Sequence, residues 1–303
     1  PPRRSPLPRH STESESPVLQ GALSGLAAGG VYAIIAVCLA LMSRLVRVVN
    51  FSQAATGMFG GYVAVWMVSK AGVPIIPATI VGVLVGGILS ALIGWIIATW
   101  LSEADTTTRS AVTVGPLLLL ISLSFILFGN KPQPFEPLLA GPAFTVSGVV
   151  ISQVTVAMVV LAIAVALASK LVLARTAVGT QLRALSERPT TAELIGIPAK
   201  PLGVAVWAIT GVISTIVIII VAPSQSNDAT ALSMLIVPGA AAALLGGFRR
   251  LDLAVVGGLV LGVIQGLVAQ IDAVSFVRYF LPFLFIVGLL LWNQRKAVWD
   301  AAR

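Results

Sequence analysis

The titratable side chains that usually carry chemistry are sparse in this chain, and they do not gather at one place in the sequence. There is one histidine, His10, and one cysteine, Cys38. The 11 acidic residues fall in polar segments or at the edges of apolar ones. The sequence has neither an H-E-x-x-H metal-binding pattern nor a phosphate-binding P-loop. We therefore expect no catalytic residues, no metal site and no cofactor on this chain.

Hydrogen bonding to a passing ligand is the chemistry predicted for Asn50, Ser52 and Gln53, with the aromatic Phe51 beside them in the same predicted pathway. These residues open an apolar run that continues with small residues. A polar entry into a helix beside an aromatic ring favours a broken-helix site that faces a pathway. Tyr32, in the preceding apolar run, is a further candidate for the pathway. The alternative is an Asn/Ser cap at the N-terminus of an ordinary helix.

A second informative segment lies in the polar, basic residues 174–200. Thr190 and Glu193 have the spacing of a capping box, in which each side chain satisfies a backbone N–H of the first helical turn. Gly196 and then Pro198 provide a C-terminal stop. Together they predict a short helix, Thr191–Ile195, that is capped at both ends.

Such a short helix is unstable alone in water, so it must pack on something. It packs either on its own bundle or on a partner at the cytoplasmic face, with Leu194 and Ile195 as the contacts. A partner is also needed to supply energy, because the apolar segments hold no titratable relay for protons. With no P-loop in this chain, that energy source would be a separate subunit. A sodium-coupled carrier remains open, since backbone carbonyls can bind Na⁺.

The elements that position these residues are predicted to be transmembrane helices. Hydrophobic residues make up 57% of the chain and charged residues only 10%, against about 25% charged in soluble domains. Long unbroken apolar runs favour helices over the short alternating strands of a membrane barrel. The predicted fold class is therefore an all-α membrane protein, a polytopic bundle of about eight to nine transmembrane helices. The formal charge of +8 is explained by basic loops between the runs, so no nucleic-acid partner is expected and the lipid bilayer is the surrounding solvent.

Nine apolar runs are candidates for these helices. The seventh is short, and we expect it to be re-entrant or broken by Pro238 and Gly239. The runs are Val18–Met42, Phe51–Val68, Ile76–Leu101, Ala111–Gly129, Gly148–Leu173, Pro201–Ala222, Leu232–Gly247, Leu253–Ile271 and Phe276–Trp292.

The chain divides into three regions. Residues 1–17 are predicted to be a disordered tail, because Pro, Ser and charged residues dominate them. Residues 18–293 form a single transmembrane domain, and residues 294–303 form a cytoplasmic tail. Placing loop 174–200 in the cytoplasm puts about two-thirds of the 19 Lys and Arg residues on that side. The N-terminus is then outside and the C-terminus inside.

In collinear order, four stretches resemble the branched-chain (hydrophobic) amino-acid ABC transporter permease family. The first runs from GLAAGGVYAIIAVCLALMSRLVRVVNF into VNFSQA, where Gln53 and Ala54 stand in place of the usual His and Gly. The others are LFGNKPQPFEPLLAGP, GTQLRALSERPTTAELIGI and PGAAAALLGGFRRLDLAVVGGLVLGVIQGL. In the third stretch, six residues match the family's ATPase-coupling loop in order: Arg183, Ala184, Ala192, Leu194, Gly196 and Ile197.

The resemblance implies an importer of the plasma membrane with this chain as its multi-pass permease. It implies two ATPase subunits that bind ATP and Mg, a second permease subunit and an extracytoplasmic substrate-binding protein. It assigns coupling to the ATPase to Arg183, Thr190, Thr191, Ala192, Glu193, Leu194, Ile195 and Gly196. The carried solute would be a branched-chain or hydrophobic amino acid, or a similar small solute. The alternative is a stand-alone secondary carrier or channel for a small solute.

Overall fold

The computed structural model describes residues 17–146, 149–225 and 227–301. The expected disorder of residues 1–16 lies outside this part of the chain. The chain folds into helices and one small hairpin in this order: α1 Pro17–Leu45, α2 Gln53–Ala71, α3 Ile75–Trp100, α4 Thr106–Val112, α5 Val114–Phe128, β1 Pro142–Val146, β2 Val149–Ser152, α6 Gln153–Arg175, α7 Ala177–Glu187, α8 Pro189–Leu194, α9 Ala199–Val221, a 3₁₀ turn Ala222–Ser224, α10 Ala229–Met234, α11 Ile236–Leu245, α12 Leu251–Ala269, a 3₁₀ helix Asp272–Tyr279 and α13 Leu281–Ala301.

The prediction of an all-α polytopic bundle is confirmed, and the predicted count of eight to nine spans is approximate. Among the described residues, six helical segments are long and apolar enough to cross a membrane. A seventh is obtained if the 3₁₀ helix Asp272–Tyr279 and the helix that follows it, bent by 66°, form one span. The other two predicted runs are helical but differ in character, because α2 is rich in small and polar residues and the segment Ala229–Leu245 is short.

Two helices are interrupted by proline, and in each the break lies before the proline. Pro238 lacks the N–H that would bond to the carbonyl of Met234, where α10 ends. In the same way, α4 ends at Val112, four residues before Pro116. The expected break in the seventh run is therefore present, and it lies at Leu235, three residues before Pro238.

Packing centres on α1, which is the most enclosed of the spanning helices. Within the most apolar 18-residue stretch of α1, 83% of the residues are buried, against 22% in the corresponding stretch of α6. Its glycine face meets the glycine face of α12: a Cβ atom added to Gly29 would lie 3.1 Å from the carbonyl oxygen of Gly258. Gly25 and Gly262 meet in the same way. Small residues at this spacing let the two helix backbones touch. Close van der Waals packing then holds the helices together, because lipid provides no hydrophobic driving force for their association.

Two sets of four helices in the bundle share one packing pattern. α1 packs on α12, α11 and α9, and α9 packs on α3, α2 and α1. Likewise, α2 contacts α3 and α5, as α11 contacts α12 and α13. The order α1–α2–α3–α5 therefore corresponds to α9–α11–α12–α13, and α6 lies outside the repeat.

Three local features differ from the sequence-based prediction. Residues 149–152, predicted to begin a span, form strand β2, which pairs antiparallel with β1. Residues 174–200, predicted as a loop with one short helix, contain the end of α6 and both α7 and α8. Residues 294–301, predicted as a tail, continue α13.

Candidate functional site

The predicted pathway residues Asn50 and Gln53 are buried and form a hydrogen-bonded cluster at the start of α2. The Nδ2 of Asn50 donates to Oε1 of Gln53 at 2.9 Å. The Oδ1 of Asn50 accepts from the N–H of Ser52 at 3.0 Å and from its hydroxyl at 2.7 Å. Gln53 donates onward, at 2.7 Å each, to the carbonyl of Thr210 and the hydroxyl of Ser214. The cluster thus joins the start of α2 to the middle of α9.

Phe51 is half-buried, and the backbone around it is held by the α4–α5 junction. Its N–H donates to Oγ1 of Thr113 at 2.9 Å. The N–H of Val49 donates to the hydroxyl of Ser110 at 3.0 Å. The segment between α1 and α2 is therefore fastened to one side by α4 and α5 and to the other by α9.

The geometry of this cluster differs from the ordinary helix cap that is the alternative interpretation of the sequence. Ser52 is the residue before α2, yet its side chain makes no capping bond. Instead, the side-chain oxygen of Asn50 accepts a hydrogen bond from the backbone N–H of Ser52, two residues on, as in an Asx turn. Asn50, Ser52 and Gln53 have 0% exposure in this structure, so a ligand would reach them only after α2 and α9 separate.

Tyr32 belongs to a different site. Its hydroxyl donates to Oε1 of Gln265 at 2.8 Å, and Nε2 of Gln265 donates to the carbonyl of Arg278 at 3.1 Å. This chain of bonds connects α1 to the bend before α13. The structure therefore does not bring Tyr32 together with Asn50. Gln265 was missed by the sequence analysis, although an amide within an apolar run was a visible signal.

The predicted short helix is present as α8, with its start shifted. It begins at Pro189 after Arg188, so Thr190 lies inside the helix and caps nothing. The expected capping box is wrong, because Pro189 has no N–H and a preset φ, which suit the first helical position. The end is as expected: Gly196 has φ +89°, and its N–H donates to Glu193 at 2.9 Å.

The end of α8 is a Schellman motif, since the N–H of Ile197 also returns to the carbonyl of Ala192 at 3.0 Å. Ala192 is buried, at 2% exposure, whereas Leu194 is 83% and Ile195 72% exposed. Thr191 and Glu193 are exposed as well. Only the Ala192 side of α8 is thus buried, and its two large apolar side chains project from the bundle.

Charged groups surround α7 and α8. Arg47, in left-handed backbone conformation at φ +57°, donates from Nη2 to the carbonyls of Ser186 (2.8 Å) and Glu187 (3.2 Å). This ties the α1–α2 connection to the end of α7. Arg183 is half-buried, and its Nε has no hydrogen-bond partner among the described residues. This donor is enclosed within the chain and is not exposed at its surface.

An aromatic cluster around the middle of α2 was not predicted. Tyr62 and Phe128 pack edge to face with ring centroids 5.7 Å apart, and Phe135 lies 5.9 Å from Tyr62. The hydroxyl of Tyr62 donates to the carbonyl of Asn227 at 2.9 Å. These contacts hold the proline-rich connection after α5 against α2 and α10.

A comparison with known families decides the class of protein. The family described as "Branched-chain amino acid transport system / permease component" matches residues 21–290. The chain belongs to this family. The resemblance drawn from four sequence stretches is thereby confirmed, and the chain is a multi-pass permease of the plasma membrane.

Two curated relatives of this permease match along most of their length. BraD of Pseudomonas aeruginosa, a high-affinity branched-chain amino acid transport system permease protein, is 24% identical over 289 residues, which are 88% of this chain and 93% of BraD. LivH of Methanocaldococcus jannaschii, a probable branched-chain amino acid transport permease protein, is 24% identical over 296 residues, or 91% and 88% of the two chains. Among solved structures, PsaBC from Streptococcus pneumoniae in complex with Fab covers 88% of both chains at 17% identity and a TM-score of 0.44, a likeness too distant to bear on function.

Proposed function

We propose that this permease is the membrane subunit of an ATP-driven importer for branched-chain amino acids or similar small hydrophobic solutes. The observation that carries the proposal is the family match over residues 21–290. In this proposal the chain hydrolyses no ATP itself, and two separate ATPase subunits bind ATP and Mg. A second permease subunit, identical or a sibling, completes the membrane path. An extracytoplasmic binding protein delivers the solute.

Coupling to the ATPase is assigned to α7, α8 and the Schellman turn, that is, to Arg183 and residues 190–196. Leu194 and Ile195 are 83% and 72% exposed in the polar segment 174–200, which this proposal places in the cytoplasm, where lipid does not cover apolar side chains. Burying both in a partner's cleft would contribute about 1.5–3 kcal/mol each. The Nε of Arg183 is enclosed and unpaired among the described residues, so in this proposal the guanidinium turns outward to bind a carboxylate or carbonyl of the partner.

The test is the double variant Leu194→Ala/Ile195→Ala in the reconstituted complex. We expect ATPase copurification and ATP-driven uptake to fall at least tenfold, while the permease stays folded. The matched control is Leu284→Ala, which also shortens an exposed apolar side chain, 57% exposed, but on α13. Normal uptake by the double variant, or an equal loss in the control, would reject the docking role.

The solute path is assigned to the segment Asn50–Gln53, with Tyr32, in the middle of α1, as an additional lining residue. Because the polar side chains of this segment are buried in the described conformation, the proposal requires α2 and α9 to part during the cycle. The bonds that must break are those from Gln53 to Thr210 and Ser214. Each of these hydrogen bonds contributes only about 0.5–1.5 kcal/mol to the stability of the closed state.

A single introduced thiol tests this path. In a Cys38→Ala background, Ser52→Cys should react with a small water-soluble thiol reagent during ATP turnover and not at rest. The control is Ser124→Cys, at a position with 0% exposure in the contact between α5 and α2, which should stay unreactive throughout. Protection of position 52 in every nucleotide state would assign the segment to packing alone.

The carrier alternative is tested with the purified permease alone in liposomes under an imposed Na⁺ or proton gradient. Concentrative uptake without ATP would overturn the importer proposal. Uptake that needs the ATPase, the binding protein and ATP would support it. The proposed orientation, N-terminus outside and C-terminus in the cytoplasm, is tested in the same vesicles by protease access to tags at the two ends.

A further inference from the structure

A groove runs along the outer surface of the bundle between α6 and α12. Both helices pack against α1 and touch each other, so α1 forms the floor of the groove. Its walls are aliphatic side chains that face away from the bundle: Ile163 (45% exposed) and Leu167 (60%) on α6, and Val256 (48%) and Val260 (42%) on α12. In the bilayer, a lipid chain covers these side chains.

One end of the groove is cationic. The Nζ of Lys170 lies 3.9 Å and the Nη2 of Arg250 3.5 Å from the same oxygen, Oδ2 of Asp252. These side chains are 51%, 66% and 48% exposed, respectively. Two cations share one carboxylate, so the group carries a net charge of +1 that no acidic side chain within salt-bridge distance neutralises among the described residues.

The charged group and the aliphatic walls belong to the same helix faces. Lys170 is three residues after Leu167, and Asp252 is four residues before Val256, spacings that place each pair on one face of its helix. A cationic site therefore lies at the end of an apolar groove, near the C-terminal end of α6 and the start of α12.

We propose that this groove is a binding site for an anionic phospholipid. Its phosphate would lie between Lys170 and Arg250, and one acyl chain would lie between α6 and α12. A zwitterionic lipid brings its own cation, which the site repels, and a free anion gains nothing from the aliphatic walls. A Lys or Arg near the surface contributes about fivefold to the binding of an anionic lipid, or about 1 kcal/mol.

The test compares lipid binding to the full purified chain in detergent by native mass spectrometry, using phosphatidylglycerol and phosphatidylcholine with identical acyl chains. Wild type should retain phosphatidylglycerol preferentially. Lys170→Gln/Arg250→Gln should lose about tenfold or more of that preference. Asp252→Asn should strengthen it several-fold, because both cations are then released to the phosphate. The matched control is Arg188→Gln/Lys200→Gln, which removes two exposed cations, one between α7 and α8 and one in the first turn of α9. This variant should leave the preference unchanged.

Equal retention of the two lipids by wild type would overturn the proposal. So would equal losses in the site and control variants, which would indicate diffuse charge, or displacement of the lipid by millimolar inorganic phosphate, which would indicate a free-anion site. The opposite signs expected for the double variant and for Asp252→Asn separate a binding site from a structural salt bridge, since loss of a purely structural bridge would not strengthen binding. The readout is lipid retention, so its outcome is independent of the transport proposal.

Discussion

The glycine contact between α1 and α12 yields a quantitative prediction for Gly25→Ala. The added methyl group would lie 2.9 Å from the carbonyl carbon of Gly262 and 3.1 Å from Cα of Gly266, and still nearer to the Gly262 carbonyl oxygen. Carbon atoms at optimal separation are about 3.5–4.0 Å apart. The helices must therefore separate by a sizeable fraction of an ångström, or more, along their whole contact. Overpacking of this kind costs about 1–3 kcal/mol.

The single cysteine supplies the assay. Cys38 lies in α1 with 0% exposure, so a fluorogenic maleimide reacts with it only when the bundle opens. We expect Gly25→Ala to melt several degrees below wild type in a thermal ramp in detergent, with Cys38 as the reporter.

Gly288→Ala is the matched control, because an added Cβ at Gly288, in α13, meets no atom within 4 Å. There the change removes only the helix penalty of glycine, about 1 kcal/mol, so melting should be unchanged or slightly later. If the two variants melt together, close backbone contact between α1 and α12 is not what stabilises this bundle.

Three further predictions use the same melting assay or hydrogen exchange. Gln53→Leu removes the side chain that joins α2 to α9 and leaves its buried polar partners unpaired. It should therefore lower the free energy of unfolding by about 1–3 kcal/mol. An unchanged melting curve would mean that these hydrogen bonds do not stabilise the bundle. Pro238→Ala restores an N–H that can bond to the carbonyl of Met234, so amide exchange at the α10–α11 break should slow; unchanged exchange would mean that proline does not cause the break. Hydrogen bonds from Thr108 lower the pKa of the Asp105 carboxyl group in the folded chain. The ionised carboxylate therefore stabilises the start of α4 at pH values above the pKa of Asp in the unfolded chain, about 3.9. This stabilisation is lost as the pH falls through the lower pKa of the folded chain. The difference between wild type and Asp105→Ala should therefore close below about pH 4, and a difference that persists in acid would contradict it.

Much of the fold follows from local sequence, because a bilayer requires every backbone group to be satisfied within its own helix. Runs of apolar residues therefore predicted the helices, and Pro238 predicted a break in the seventh run. The placement of that break needed the rule that a proline removes the bond to the residue four positions earlier. The same rule applied to Pro116 would have divided α4 from α5.

The candidate sites were less predictable, because their partners are distant in sequence. Nothing near Gln53 indicates that its amide bonds to Thr210 and Ser214 on α9. At α8, two local signals competed, and the preset φ of Pro189 prevailed over the capping pattern at Thr190. The β1–β2 hairpin was missed because its strands are only 5 and 4 residues long and lie beside a long apolar run.

The contact between α1 and α12 also sets a condition on how the chain is made. α1 is the first described helix, and its glycine face has no partner until α12 has been synthesised roughly 240 residues later, which takes roughly 10–50 s at 5–20 residues per second. During that interval the most enclosed helix of the finished protein must wait in lipid or in the insertion machinery with that face uncovered. A truncated chain that stops before Leu251 should therefore be a natural target for membrane quality control, even though most of its spans are complete.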